Sequence, residues 1–208
     1  MNGLLFITHR TEKYGYLQSV EMALQGGCRQ IQLRMKDALV EEVEKTAVQA
    51  KALCDKYGAS LFINDHVEVC LKVKAAGVHL GKSDMLPSEA SAILGKGFII
   101  GGTANTFDDI LHLYQQGVDY IGLGPFRFTE TKQNLSPVLG LKGYHNIMRL
   151  CTEHGIHLPV FAIGGITIDD IPEILKTGVA GIALSSAILN AENPVEEMQR
   201  AADYLTQK

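Results

Sequence analysis

Gln32, Arg34 and Lys36 alternate with Ile31, Leu33 and Met35. In a β-strand over residues 30–36, a period of 2 puts the polar side chains on one face. Two of the three are cations. An unpaired buried charge is costly, so a strand hidden in an apolar core gains nothing from them, whereas a strand whose end opens onto an anion site needs such a pair. The spacing points to a phosphate-bearing ligand. A solvent-facing edge strand with snorkelling Arg and Lys is the alternative that this stretch alone leaves open.

Carboxylates and glycines add to that inventory. Asp65 and Asp84, with Asn64 beside the first, have no Cys or His cluster nearby, and a few hard carboxylate oxygens are what Mg²⁺ takes when a substrate phosphate completes its shell. Each could instead cap a helix, since Asp65 precedes a helical pattern at 67–74 and Asp84 lies just ahead of Pro87. Gly164 and Gly165 would let backbone N–H groups approach an anion without a Cβ in the way, and Ser185 and Ser186 offer hydroxyl and N–H donors. A plain tight turn also explains a Gly-Gly pair. Arg34, Lys36 and Lys132 against Asp65 and Asp84 describe a site for a diphosphate with its Mg²⁺, and the glycine and serine pairs a second phosphorylated ligand. Two such ligands suggest a transferase in which diphosphate leaves one substrate and the other attacks.

The elements that must position these groups recur as a unit: a helical pattern, a Gly at its end, then a short apolar run. Gly27, Gly77, Gly117 and Gly178 each stand where a helix C-cap needs tolerance of positive φ, and the runs that follow are those of parallel strands buried on both faces. The predicted strands are 4–8, 30–34, 60–63, 78–80, 98–102, 120–123, 160–163 and 181–184. Between them lie amphipathic segments such as 40–56, with Val43, Ala47, Ala50 and Leu53 at helical spacing, and 106–116, which Thr106 can cap. Eight β/α repeats in 208 residues predict an α/β chain folded as a single-domain TIM (β/α)8 barrel, with an open doubly wound sheet as the rival. In a barrel the chemistry sits at the C-terminal strand ends. There stand Gln32, Arg34 and Lys36, then Asn64 and Asp65, His79 and Asp84, Thr103 to Thr106, and the long 124–140 segment holding Thr129, Glu130, Thr131 and Lys132. Gly165, Ser185 and Ser186 follow at the last two strands.

Composition narrows the class. At 46% hydrophobic and 20% charged the chain can bury a full core. A net charge of −4 argues against a nucleic-acid surface, and no run of 18 apolar residues or signal pattern opens the chain. The reading is a cytoplasmic protein. Cys28, Cys54, Cys70 and Cys151 are scattered among mostly apolar neighbours, as small hydrophobes of a reducing compartment are. His79 on its apolar strand reads as a hydrogen-bonded core histidine ahead of a ligand contact.

Six motifs in order then carry a resemblance: Gln32-Leu33-Arg34-Met35-Lys36, Asn64-Asp65, Gly77 to Asp84, Gly122-Leu123-Gly124-Pro125, Thr129-Glu130-Thr131-Lys132 and Ala162 to Ile166. Together they resemble the thiamin phosphate synthase family over nearly the whole chain. The resemblance implies a TIM barrel, a homodimer, and a Mg²⁺-dependent transferase of thiamin biosynthesis. Such an enzyme joins 4-amino-5-hydroxymethyl-2-methylpyrimidine diphosphate to 4-methyl-5-(2-hydroxyethyl)thiazole phosphate, releasing diphosphate. It assigns Gln32, Arg34, Lys36, Asn64 and Thr103 to the pyrimidine diphosphate, Lys132 to its diphosphate, and Asp65 and Asp84 to Mg²⁺. Thr129, Glu130, Thr131, Gly165, Ser185 and Ser186 go to the thiazole phosphate. Arg34, Lys36, Thr103 and Lys132 are the groups implied for catalysis, by a dissociative route that needs no protein nucleophile.

The chain departs from the family at Met35, where an acidic residue is usual, at Lys82 for Gln, and at Thr103 and Asn105 for Ser and His. The Pro frequent before the Thr-x-Thr is also missing. Asn105 puts in doubt any role that needs an imidazole. The rival readings are a thiazole tautomerase of the same fold, which generally lacks the paired carboxylates, and a non-catalytic paralogue that binds the ligands without turning them over.

Overall fold

The computed structural model describes residues 1, 3–128 and 137–206. The strands are β1 Gly3–Ile7, β2 Gln30–Leu33, β3 Ser60–Asn64, β4 Gly77–Leu80, β5 Ile99–Ala104, β6 Tyr120–Leu123, β7 Val160–Ile163 and β8 Gly181–Leu184. All are parallel and pair in chain order, and β8 returns to β1 with Gly3 opposite Gly181 and Phe6 opposite Leu184. The sheet is a closed barrel, which removes the open-sheet rival. The helices are α1 Tyr16–Gln25, α2 Val40–Lys56, α3 Val67–Val73, α4 Pro87–Leu94, α5 Phe107–Gln115, α6 Gly140–Glu153, α7 Ile171–Leu175, α8 Ser186–Leu189 and α9 Pro194–Thr206.

Strand parity sorts the core into two layers. Leu4, Phe6, Ile31, Leu33, Val78 and Leu80 belong to the apolar layer between sheet and helices. Leu5, Ile7, Phe62, Tyr120, Phe161 and Ala183 fill the barrel interior. The helices lay their apolar stripes on the outer layer; α2 does so with Val43, Ala47, Ala50 and Cys54, and Leu53 packs partly buried against the same layer. Thr106 caps α5 as expected, its Oγ1 accepting from Asp109 N–H at 3.2 Å while Asp109 Oδ2 accepts from Thr106 N–H at 2.9 Å.

Two local expectations are corrected. β2 stops at Leu33, one residue before the predicted end, so the alternation read from residue 30 does not continue as strand to Lys36. Gly77 is not a helix cap. Lys74 ends α3 in the left-handed conformation, φ 53°, and Gly77 lies in β4, where a Cβ would stand 2.0 Å from the Ile99 carbonyl oxygen. Gly27, Gly117 and Gly178 do adopt positive φ after their helices.

Candidate active site

The C-terminal strand ends surround one cavity. Its lining takes Thr8 and His9 from the end of β1, Gln32 and Arg34 from β2, Asn64 from β3, His79 from β4, and Thr103 and Asn105 from β5. Gly164, Gly165, Ser185 and Ser186 complete the far side. Seven of the predicted site residues, Gln32, Arg34, Asn64, Thr103, Gly165, Ser185 and Ser186, thus meet in one place. Thr129, Glu130, Thr131 and Lys132 lie outside the described residues.

Arg34 follows the last residue of β2 and is fixed by a neighbour that the sequence reading passed over. The Thr8 hydroxyl donates to the Arg34 carbonyl at 3.2 Å and accepts from the Arg34 N–H at 2.9 Å. Met35 points the other way, into the apolar layer under the helices, so its departure from the family pattern does not touch the cavity. Lys36 is exposed and lines a neighbouring groove with Arg10, Asp37, Glu42 and Lys45. It is not in the cavity lining.

Asp65 and Asp84 follow adjacent strands. Asp65 continues the ladder past β3, its N–H bonded to the His79 carbonyl at 2.9 Å, and it takes φ 66°. Asp84 Oδ2 accepts from Gly81 N–H at 2.6 Å, and a Cβ on Gly81 would sit 2.8 Å from that oxygen. Neither carboxylate is a helix N-cap, because His66 precedes α3 and Leu86 precedes α4. Both carboxylates are half-buried and neither is in the cavity lining; they are of the hard-oxygen type that a divalent cation takes when phosphate and water complete its shell. Among the described residues no group of three or more His, Cys, Asp or Glu is arranged to hold a metal by itself.

On the opposite rim, Gly164 and Gly165 both have positive φ, 95° and 67°, and pack against the segment after β6. A Cβ on Gly165 would meet the Arg127 and Phe128 carbonyl oxygens at 2.9 Å. The pair therefore makes a turn and lines the cavity at once. Arg127 holds the segment in place, donating to the Gly165 carbonyl at 2.7 Å and, through both guanidinium ends, to Asp170 at 2.9 Å. That bidentate contact, with help from Thr167 and against partial burial, holds the Asp170 carboxyl at about 2.

Ser185 lines the cavity with its hydroxyl already engaged. Its hydroxyl donates to the Ile7 carbonyl at 2.6 Å, and a carbonyl can only accept, so the His9 contact at 2.8 Å is His9 Nδ1–H giving to Ser185 Oγ. The hydroxyl proton is committed to β1. Burial first, and the Arg34 charge second, lower the His9 pKa from its ordinary value.

At the cavity floor His79 is 7% exposed, with Nδ1 3.0 Å from the Tyr120 hydroxyl and Nε2 2.9 Å from Thr103 Oγ1. It is both the hydrogen-bonded histidine read from the sequence and part of the lining. Gly122 leaves it room, since a Cβ there would come within 3.0 Å of the ring. Asn105, where an imidazole was in doubt, ties β5 to β6 by donating to the Gly124 carbonyl at 2.5 Å. Lys82 reaches Asp109 at 2.6 Å, joining the turn after β4 to the start of α5. Thr8, His9 and Tyr120 carry no motif in the sequence: the first two follow β1, and Tyr120 opens β6. Their signal was position alone.

The family described as thiamine monophosphate synthase matches residues 4–188. The thiamine-phosphate synthase of Phocaeicola vulgatus is 60% identical over 197 residues, 95% of each chain. The one from Pyrococcus horikoshii is 37% identical and covers 97% of this chain and 92% of its own length. Among solved structures, thiamine phosphate pyrophosphorylase from Pyrococcus furiosus matches with a TM-score of 0.86 at 34% identity, over 98% of this chain and 95% of that one. The family match runs from the first strand through the last and the helix that follows it, over the same strand ends that build the cavity, and the chain belongs to the thiamine monophosphate synthase family.

Proposed function

We propose that this chain is a transferase that makes thiamin monophosphate from 4-amino-5-hydroxymethyl-2-methylpyrimidine diphosphate and 4-methyl-5-(2-hydroxyethyl)thiazole phosphate. The observation that carries the reading is the convergence of Gln32, Arg34, Asn64 and Thr103 on one wall of the cavity with Gly165, Ser185 and Ser186 on the other. The first wall takes the pyrimidine diphosphate. The second takes the thiazole phosphate, with backbone donors near Gly165 and Ser186 and the His9–Ser185 pair at its edge.

As the carbon–oxygen bond to the leaving group breaks, negative charge collects on diphosphate. Arg34, rooted by Thr8, meets that charge at the strand end; Lys36, two residues on, and Lys132 join it in the family pattern. Asp65 and Asp84 would hold Mg²⁺, which when bound neutralises diphosphate oxygens. The electron-rich aminopyrimidine carries the methylene cation, Gln32 and Thr103 orient the ring, and the thiazole nitrogen captures the cation. None of these steps needs a protein nucleophile. In keeping with a reducing cytoplasm, the cysteines are free and buried, burial pushing Cys28 up to about 11 and Cys54 and Cys70 up to about 12. Among the described residues no helix is long and apolar enough to cross a membrane. We also propose the homodimer of the family as its state.

The test is product formation from the two substrates, with either one or Mg²⁺ left out. Thiamin monophosphate and diphosphate in equal amounts, only in the complete mixture, are expected. A chain that binds both substrates yet forms no product belongs to the non-catalytic reading.

A further inference from the structure

Tyr120 has no part in the chemistry above, yet it lies fully buried behind His79 of the cavity lining. Its ring packs edge-on to Phe62 and Phe161, with centroids 5.8 Å away in each case, and a Cβ on Gly101 would fall 2.2 Å from it. The hydroxyl cannot drift. Gln32, 2% exposed, lies against that hydroxyl closely enough to oppose the upward push of burial on the phenol, yet its Nε2 is buried without a hydrogen-bond partner.

Buried amide donors are rarely left unpaired, and the two ends of a carboxamide are nearly alike in shape. Turning the Gln32 amide end for end brings Oε1 to the Tyr120 O–H and presents the NH2 to the cavity. The remaining protons then follow. If Tyr120 gives its proton to Gln32, the phenolic oxygen accepts from His79 Nδ1–H. A neutral imidazole has one N–H and one lone pair, so Nε2 accepts from the Thr103 hydroxyl, and the Thr103 oxygen is left with lone pairs for the cavity. Each member has one proton to give along the line, and its direction at one end determines the other.

We propose that Tyr120 and His79 are positioning residues which give the site a fixed polarity, Gln32 presenting an N–H donor and Thr103 an acceptor. The ligand they select has a ring acceptor towards Gln32 and a donor, such as an exocyclic amine, towards Thr103. The identification of that ring as the aminopyrimidine rests on the proposed function; the polarity itself does not.

Long-range ¹H–¹⁵N correlation of labelled, ligand-free protein reads the His79 tautomer, the signal being assigned by its loss in His79→Gln. The Nδ1–H tautomer is expected in the wild type. In Tyr120→Phe, where Nδ1–H loses its acceptor, the ring should move to Nε2–H, donating to Thr103. Tyr120→Phe should also raise KM for the pyrimidine diphosphate about tenfold, the scale of one lost hydrogen bond, and leave KM for the thiazole phosphate unchanged. Thr103→Val spares the packed floor; it should keep the Nδ1–H tautomer and raise the same KM. An Nε2–H or doubly protonated ring in the wild type overturns the proposal, as does a Tyr120→Phe enzyme with its tautomer and both KM values unmoved. Absence of turnover in the wild type would count against the proposed function and leave the tautomer result standing.

Discussion

Thr8 grips Arg34 by both of its backbone groups, so the guanidinium leaves the strand end from a fixed root and less freedom is lost when an anion arrives. A charge-assisted contact to diphosphate is worth about 1.5–3 kcal/mol. Arg34→Met keeps much of the side chain's apolar volume and should therefore slow turnover by roughly one to two powers of ten while the thermal midpoint stays level or rises slightly. Steady-state rates and melts with and without diphosphate check this; an unchanged rate together with an unchanged diphosphate-induced shift removes Arg34 from the anion site. Asp84 needs a gentler substitution, because its carboxylate also braces the turn through Gly81 N–H. Asp84→Ala would disturb that turn as well as the proposed metal site. Asp84→Asn retains an oxygen for Gly81 and loses the charge, so the Mg²⁺ concentration for half-maximal rate should rise several-fold with little change in melting. A rate curve against Mg²⁺ that superposes on the wild type would sink the ligand assignment.

At the scale of elements, positions that look replaceable prove tightly bounded. Gly101 lies within β5, yet a Cβ there would overlap the Tyr120 ring at 2.2 Å, and Phe62 and Phe161 leave that ring nowhere to go. Gly101→Ala should cost about 1–3 kcal/mol or more, read as a lower urea midpoint, and the loss should shrink in a Tyr120→Ala background, where the clash is gone. The Arg127–Asp170 link between the segments after β6 and β7 gives a pH-dependent counterpart. Its folded carboxyl, at about 2, lies below the ordinary Asp value of about 3.9. The contribution is therefore fully present above about pH 4 and is lost as pH falls from there through about 2. The difference in melting temperature between wild type and Asp170→Asn should narrow across that window; a constant difference would show that the charge on Asp170 contributes nothing. Period and punctuation made the elements themselves legible, including α2 to the residue and the two faces of β2. Boundaries were less so at β2, where periodicity continued past the last ladder pair at Leu33 and Ile63. The sequence could place Gln32, Arg34 and Thr103 at strand ends. It could not show Thr8 reaching Arg34 or Tyr120 reaching His79, because those contacts join residues 26 and 41 positions apart whose types are ordinary in a core.

For the whole molecule, closure was the property least visible in advance, since strand periodicity reports which face is buried and not which strand is the neighbour. β1 and β8 supply it, and the same pair supplies one edge of the cavity: Ser185 gives its proton to Ile7 and receives one from His9. A chain ending at Gly178, before β8, should show no diphosphate-induced melting shift, whereas retention of that shift would separate anion binding from closure. His9 and Ser185 are 176 positions apart, so a growing polypeptide has Arg34 and Lys36 long before it has the strand that completes their surroundings. Ligands that bind only the closed barrel draw the last folding step towards completion by mass action. The substrates would then serve the newly made enzyme as a folding aid, and refolding yields measured with and without them are expected to differ most in chains weakened at the β1–β8 seam.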